Sequence, residues 1–290
     1  MSDKKNLRII FPMWQGGNLP AYKTGAELLG WLAPEAGPDT TTVTIPVHEP
    51  VSESRIEEGI LGRHNLSVEL NAAKEALTYH KPDTLCVFGG DCLADLVPFG
   101  WLSQKYGEGF GILWLDTHPD VMTPAQHPNA HAHVLGALLG NGDGMLTTHA
   151  PRPVAPEKVM IAGLHNPSKY ERDFIDYYGV NYATPQEMKH GTACLEDWIE
   201  NEKITHLAIH FDLDILDHHK FLSLYFNNPD AASGAFDAIP KGSLVVAEVM
   251  EWIRAAATQT EIVGLGITEF LPWDVVRLKQ MLTELPLTSN

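Results

Sequence analysis

Positive charge is scarce in this chain: 20 lysines and arginines stand against 37 aspartates and glutamates, a formal charge of −17. That balance repels phosphate backbones, and no clustered Lys/Arg stripe reverses it locally, so nucleic acid is not an expected partner. Cysteine is scarce too. Cys86, Cys92 and Cys194 are an odd and sparse set, which argues against a disulfide framework and for a reducing compartment, so the cytoplasm is the expected location. No stretch approaches the roughly 18 consecutive apolar residues of a membrane span, so a soluble protein with no membrane partner is expected. Residues 1 to 14 place two lysines before a short apolar run, but Arg8 and Pro12 interrupt it and no small-residue cleavage site follows. No export signal is therefore read there. Internal repeats and low-complexity tracts are also missing.

What the chain does contain is a series of apolar, β-rich runs at wide intervals: 7 to 14, 41 to 47, 84 to 90, 110 to 116, 158 to 164, 206 to 216 and 261 to 270. Most are continuous rather than alternating, as strands covered on both faces require. Between them lie segments with helical spacing, at roughly 54 to 79, 93 to 105, 130 to 141, 194 to 202, 243 to 258 and 273 to 284. Strand, helix and strand repeated in this way predict an α/β fold with a mostly parallel central sheet and helices on both sides, a three-layer sandwich. We read residues 1 to 290 as a single domain. Segments 141 to 157 and 219 to 242 read as long connections.

Ligands of open α/β sheets bind beyond the carboxyl ends of the strands, and those ends carry the chemistry here. They read "FGGDC" (88 to 92), "LDTHPD" (115 to 120), "GLHNP" (163 to 167), "HFDLDILD" (210 to 217) and "GITEF" (266 to 270). Side chains two apart on an extended chain share a face. Asp116, His118 and Asp120 therefore form one group, and Asp212 and Asp214 another. Most of the acidic excess belongs to a solvated surface, but carboxylates that converge need protons or cations. Oxygen-rich ligation with an imidazole suits manganese and related divalent ions, and Asp116 and Asp212, first in their groups, could bridge two of them. Two-metal sites make a hydroxide at neutral pH and steady a developing oxyanion.

In these residues the chain resembles the arginase and agmatinase (ureohydrolase) family, through four ordered blocks: "GGDC", "DTHPD", "FDLDILD" and "GLGITEF". The resemblance implies an arginase-like fold, a pair of manganese ions, and attack of the metal-bound hydroxide on a guanidino or amidino carbon, releasing urea or a related product. It further implies that Asp116 and Asp212 bridge the ions, that His118 and Asp214 complete one site, and that Asp120 and Cys92 complete the other. Glu269 would pair with the substrate's guanidinium, a planar cation suited to bidentate contact, and His131 would carry protons to the leaving amine. A homo-oligomer, trimer or hexamer, is implied as well.

The pattern has departures. The first block usually ends in histidine, and Cys92 stands there. A thiolate ligand would move the preference from manganese towards zinc, iron, nickel or cobalt; otherwise Cys92 is a small buried hydrophobe beside a weakened site. Asp91 resembles the aspartate that orients a ligand. His210 precedes Asp212 by two on the same face, and we expect it to hydrogen-bond a neighbour or fill the core rather than ligate. His131 and His133 diverge by about 200° if they open a helix, so one of them faces the site, and we take His131; His127, His218 and His219 are read as surface or loop residues. Met122 stands where the family has a polar contact to the amino acid, and the later loop with His165, Asn166 and Ser168 has none of the family's aspartates, which points away from arginine. Two rivals remain: a single-zinc, deacetylase-like amide hydrolase, and a degenerate, non-catalytic subunit or binding protein.

Overall fold

The computed structural model describes residues 4–49 and 55–285. Eight parallel strands form the central sheet: β1 (Asn6–Phe11), β2 (Thr40–Thr44), β3 (Thr84–Gly89), β4 (Phe110–Leu115), β5 (Val159–Ala162), β6 (Asn181–Ala183), β7 (His206–Asp212) and β8 (Glu261–Thr268). Their spatial order is β2-β1-β3-β8-β7-β4-β5-β6. Seven of them fall on the apolar runs. The eighth, β6, is three residues at the sheet edge with only its last residue buried, too short and too polar to carry a periodic signal.

Helices cover both faces, as parallel strands with crossover connections require. The long ones are α1 (Ala21–Leu32), α2 (Arg63–His80), α3 (Leu96–Tyr106), α4 (Lys169–Tyr178), α5 (Ala193–Asn201), α6 (Val246–Gln259) and α7 (Trp273–Glu284). Side-chain alternation along β4 divides the core. Phe110, Ile112 and Trp114 pack with Leu66 and Leu70 of α2 and Phe99 and Leu102 of α3. Leu113 and Leu115 point the other way, onto Trp198 of α5 and Val249 and Trp252 of α6. The result is the expected three-layer sandwich.

Local chemistry explains several element ends. Helix α4 starts at a capping box in which Ser168 and Glu171 satisfy each other's backbone amides, and it stops at Gly179 in the left-handed conformation. The sequence reading passed over α1, because Gly25 and Gly30 interrupt its pattern. Gly25 is needed there: a Cβ would lie 1.8 Å from the Phe270 carbonyl oxygen, so glycine alone lets α1 settle against the chain that follows β8. The expected helix 54 to 79 begins at Arg63, behind a short hairpin of Ile56–Glu57 with Ile60–Leu61; residue 54 itself lies outside the described residues. Among the described residues no helix is long and apolar enough to cross a membrane.

Candidate metal centre

Strands β3, β8, β7 and β4 are consecutive in the sheet, so their carboxyl ends sit side by side. From β3 the chain runs through Gly89 and Gly90 to Asp91 and Cys92, both buried. Asp91 caps the turn that follows, accepting from the Leu93 amide at 3.0 Å, and reaches across to the Gly17 amide at 2.8 Å. From β4 come Asp116, His118 and Asp120; from β7, Asp212 and Asp214; from β8, Glu269. Backbone strain marks two of these positions. Asp120 has φ 48° and Glu269 φ 63°, a left-handed conformation that is costly for residues with a side chain and is retained where the surroundings impose it. The Glu269 amide is pinned to the Gly90 carbonyl at 2.8 Å.

Two aspartate-bearing sets of ligand atoms result at these strand ends, beside a third set made of Cys92, His131 and Glu269. One atom from each of Asp116, His118 and Asp214 lies within 4.8 Å of the others. His118 Nδ1 is 3.0 Å from Asp214 Oδ2 and 3.6 Å from Asp116 Oδ1. The second set holds Cys92, Asp116, Asp120 and His210 within the same limit, so Asp116 belongs to both. Asp212 falls in neither, although its Oδ2 accepts from Cys92 Sγ at 3.1 Å and its Oδ1 accepts the Asp214 amide at 2.6 Å. Glu269 faces the same space: its Oε1 is 3.6 Å from Cys92 Sγ and 3.3 Å from His131 Nδ1.

The electrostatics are those of an unneutralised anionic pocket. Burial first, and then the charges of neighbouring carboxylates, hold Asp116, Asp120 and Asp212 above the ordinary carboxyl range. Burial and Asp212 push the Cys92 thiol well up. Burial opposes the charged form of His118, but Asp214 and Asp116 outweigh it and hold the imidazole well above its ordinary value. His131 is likewise opposed by burial, yet Glu269, Asp91 and Asp120 raise it to about 9. Four buried ligand atoms have no hydrogen-bond partner: His118 Nε2, Asp120 Oδ2, Asp214 Oδ1 and His210 Nε2. Buried polar atoms are rarely left so. Carboxylates, imidazoles and a thiol with free lone pairs, packed too closely to ionise together, fit divalent cations.

The two histidines after Asn129 part as their spacing requires. His131 turns to Glu269, while His133 Nε2 donates to the His127 carbonyl at 2.9 Å and burial lowers it to about 4. In the later loop Ser168 is occupied as the α4 cap, and the Asn166 amide lies 3.0 Å from His165 Nε2. Two residues escaped the sequence reading. Tyr22 of α1 is buried, and burial first and then the neighbouring Glu269 raise its phenol well above the ordinary value, and Asp95 is buried 2.7 Å from His210 Nδ1. No local pattern marks Tyr22. Asp95 could have been noticed as a lone carboxylate inside the apolar stretch "LADLVPF".

A model of the arginase family matches residues 61–274. The sequence is 24% identical to an arginase of Entamoeba histolytica over 215 residues, 72% of this chain and 68% of that protein. It is 30% identical to an arginase of Bacillus caldovelox over 136 residues, 44% of this chain and 45% of that protein, less than half of its length. The crystal structure of the E. histolytica arginase in complex with L-ornithine superposes with a TM-score of 0.77 at 19% identity, covering 94% of this chain and 92% of that one.

Proposed function

Because the chain belongs to the arginase family of ureohydrolase-type hydrolases, we propose that it cleaves a carbon–nitrogen bond of a small guanidino or amidino compound, releasing urea or a related product. The observation that carries this reading is the convergence of Cys92, Asp116, His118, Asp120, Asp212 and Asp214 beside Glu269, with buried ligand atoms left unpartnered. Two divalent ions would be held there, one by Asp116, His118 and Asp214, the other by Cys92, Asp116 and Asp120, with Asp212 between them; manganese is the first expectation, and Cys92 admits nickel, cobalt, iron or zinc. Bound there, the ions would supply hydroxide at neutral pH and a positive field against the charge that develops in the reaction.

The chain's own groups do the rest. Glu269 would pair with the guanidinium, its buried carboxylate matching a planar cation with two N–H donors. Tyr22, buried beside Glu269, keeps water from that side of the carboxylate. Asp120 Oδ2 is free to accept a proton from the attacking water. His131, which Glu269, Asp91 and Asp120 raise to about 9 in the ion-free pocket, faces Glu269 with its Nδ1 at 3.3 Å, where the leaving amine would need a proton.

The measurement that tests this is urea or ammonia release across a panel of guanidino and amidino compounds, with Mn, Ni, Co and Zn added separately. A turnover dependent on metal supports the reading; stoichiometric metal with no turnover of any amidine, but release of acetate from an acetyl-amide, favours the deacetylase-like rival. Failure to bind metal stoichiometrically, in the wild type as in Asp214→Asn, favours a non-catalytic subunit. The same reading carries a trimer or hexamer, which light scattering measures directly.

A further inference from the structure

His210 lies at the centre of the sheet with none of its surface exposed. Its neighbour on β4 is Trp114 and its neighbour on β8 is Gly266. The imidazole stacks on the Trp114 indole at 3.6 Å between ring centroids and 13° between planes, and that indole donates in turn to Asp116 Oδ2 at 3.0 Å. On the other side, Nδ1 meets Asp95 Oδ2 at 2.7 Å. Asp95 itself lies where β8 gives it room: a Cβ on Gly266 would be 1.8 Å from Asp95 Oδ2. The ring plane is therefore imposed, and a carboxylate at Nδ1 favours the tautomer that carries its proton there. With its proton on Nδ1, towards the carboxylate, the imidazole turns the Nε2 lone pair to the opposite side.

What Nε2 meets there is ligand atoms and no hydrogen. It has no hydrogen-bond partner, stands 3.9 Å from Asp116 Oδ2, and shares the 4.8 Å group with Cys92, Asp116 and Asp120. A strand step of two residues spans about 6.6–6.8 Å, so the backbone of its own strand is not what brings Nε2 to these ligand atoms. Its company in the structure is instead on β4 and after β3.

We propose that His210 is a metal ligand through Nε2, giving the ion held by Cys92, Asp116 and Asp120 a mixed shell of thiolate, imidazole and carboxylate, with Asp95 as the positioning residue. The inference rests on the reading above that ions occupy the pocket. It makes the two ion sites chemically unlike. The site of Asp116, His118 and Asp214 is mostly oxygen; the His210 site is soft enough to select zinc, cobalt, iron or nickel over manganese. A carboxylate behind the distal nitrogen of a ligating histidine fixes its orientation and raises its basicity.

The test is cobalt titration of the chelator-treated full-length protein, followed by absorption and by proton magnetic resonance. The wild type is expected to show a thiolate-to-cobalt charge-transfer band and one exchangeable, paramagnetically shifted signal from the Nδ1 proton of His210. His210→Gln should lose that signal and weaken the thiolate-reporting site at least 100-fold, while the His118 site keeps its equivalent of metal. Asp95→Asn keeps the imidazole and should weaken the same site about 10–100-fold, so the test survives a His210 variant that fails to fold. Unchanged cobalt affinity and spectra in Asp95→Asn, or in a folded His210→Gln, overturn the inference alone. A wild type that binds no cobalt overturns it together with the two-ion reading.

Discussion

Removing the ions should convert the pocket from an asset into a load, and the size of the effect can be worked out. In the ion-free protein the Asp116, Asp120 and Asp212 carboxyls and the His118 imidazole are all held above their ordinary values, the carboxyls chiefly by burial and the imidazole by Asp214 and Asp116 against it. A group whose folded pKa is raised stabilises the fold below its unfolded pKa and loses that contribution as pH rises through the folded one. Ion-free protein is therefore expected to lose stability steadily as pH climbs above about 4, the unperturbed aspartate range. Ion binding reverses the slope, because each entering ion displaces protons and binds more tightly as pH rises. At a hundredfold excess over its Kd one ion adds about 2.7 kcal/mol. At about 2–4 °C per kcal/mol that is roughly 5–10 °C in Tm. The assay is scanning calorimetry at several pH values with and without Mn, Ni, Co or Zn, beside titration calorimetry in two buffers of different ionisation enthalpy to count protons released. No shift in Tm with any of the four metals, or binding without proton release, would refute the reasoning.

On the proposed reading Glu269→Gln would remove one charge-assisted pair with the substrate, worth about 1.5–3 kcal/mol, so kcat/KM should fall roughly 10–100-fold while metal content, read by elemental analysis, stays put. His149 is lowered by burial to about 4 from 6.5; the unfolded chain takes up the proton first, so its contribution is complete above 6.5 and is lost as pH falls towards 4. His149→Gln should flatten the acid limb of urea midpoints measured between those limits. Trp252 is fully buried and donates its indole N–H to the Met188 carbonyl at 3.2 Å; Trp252→Ala should cost about 3–5 kcal/mol in urea unfolding.

Several elements were legible because the signal that makes them is local. The run Phe110 to Leu115 is apolar on both faces and is buried throughout, and its continuity alone predicts a strand sandwiched between helices. Asp116 and Asp212 stand where extended chain puts them, at strand ends, but His118, Asp120 and Asp214 lie beyond the strands, Asp120 with φ 48° and Asp214 in a tight helical turn, so the turns and not the period of two bring them to the pocket. Helix α4 was passed over although its capping box and its glycine stop are local signals; the other misses turn on distant contacts. Helix α1 carries a glycine that only the Phe270 carbonyl explains, and β6 is set by pairing with β5 rather than by its own three residues.

His210 shows the boundary most clearly. Its face of the strand follows from its position two before Asp212, and that much any extended chain dictates. Whether its ring points a lone pair or a proton into the pocket depends on Trp114 and on Asp95, residues 96 and 115 positions away in the chain. Alternation along the chain decides which groups share a side. The strand order, which puts β3, β8, β7 and β4 next to one another, decides which of those groups meet, because distances across a sheet are set by pairing and carry no trace in the spacing of any one strand.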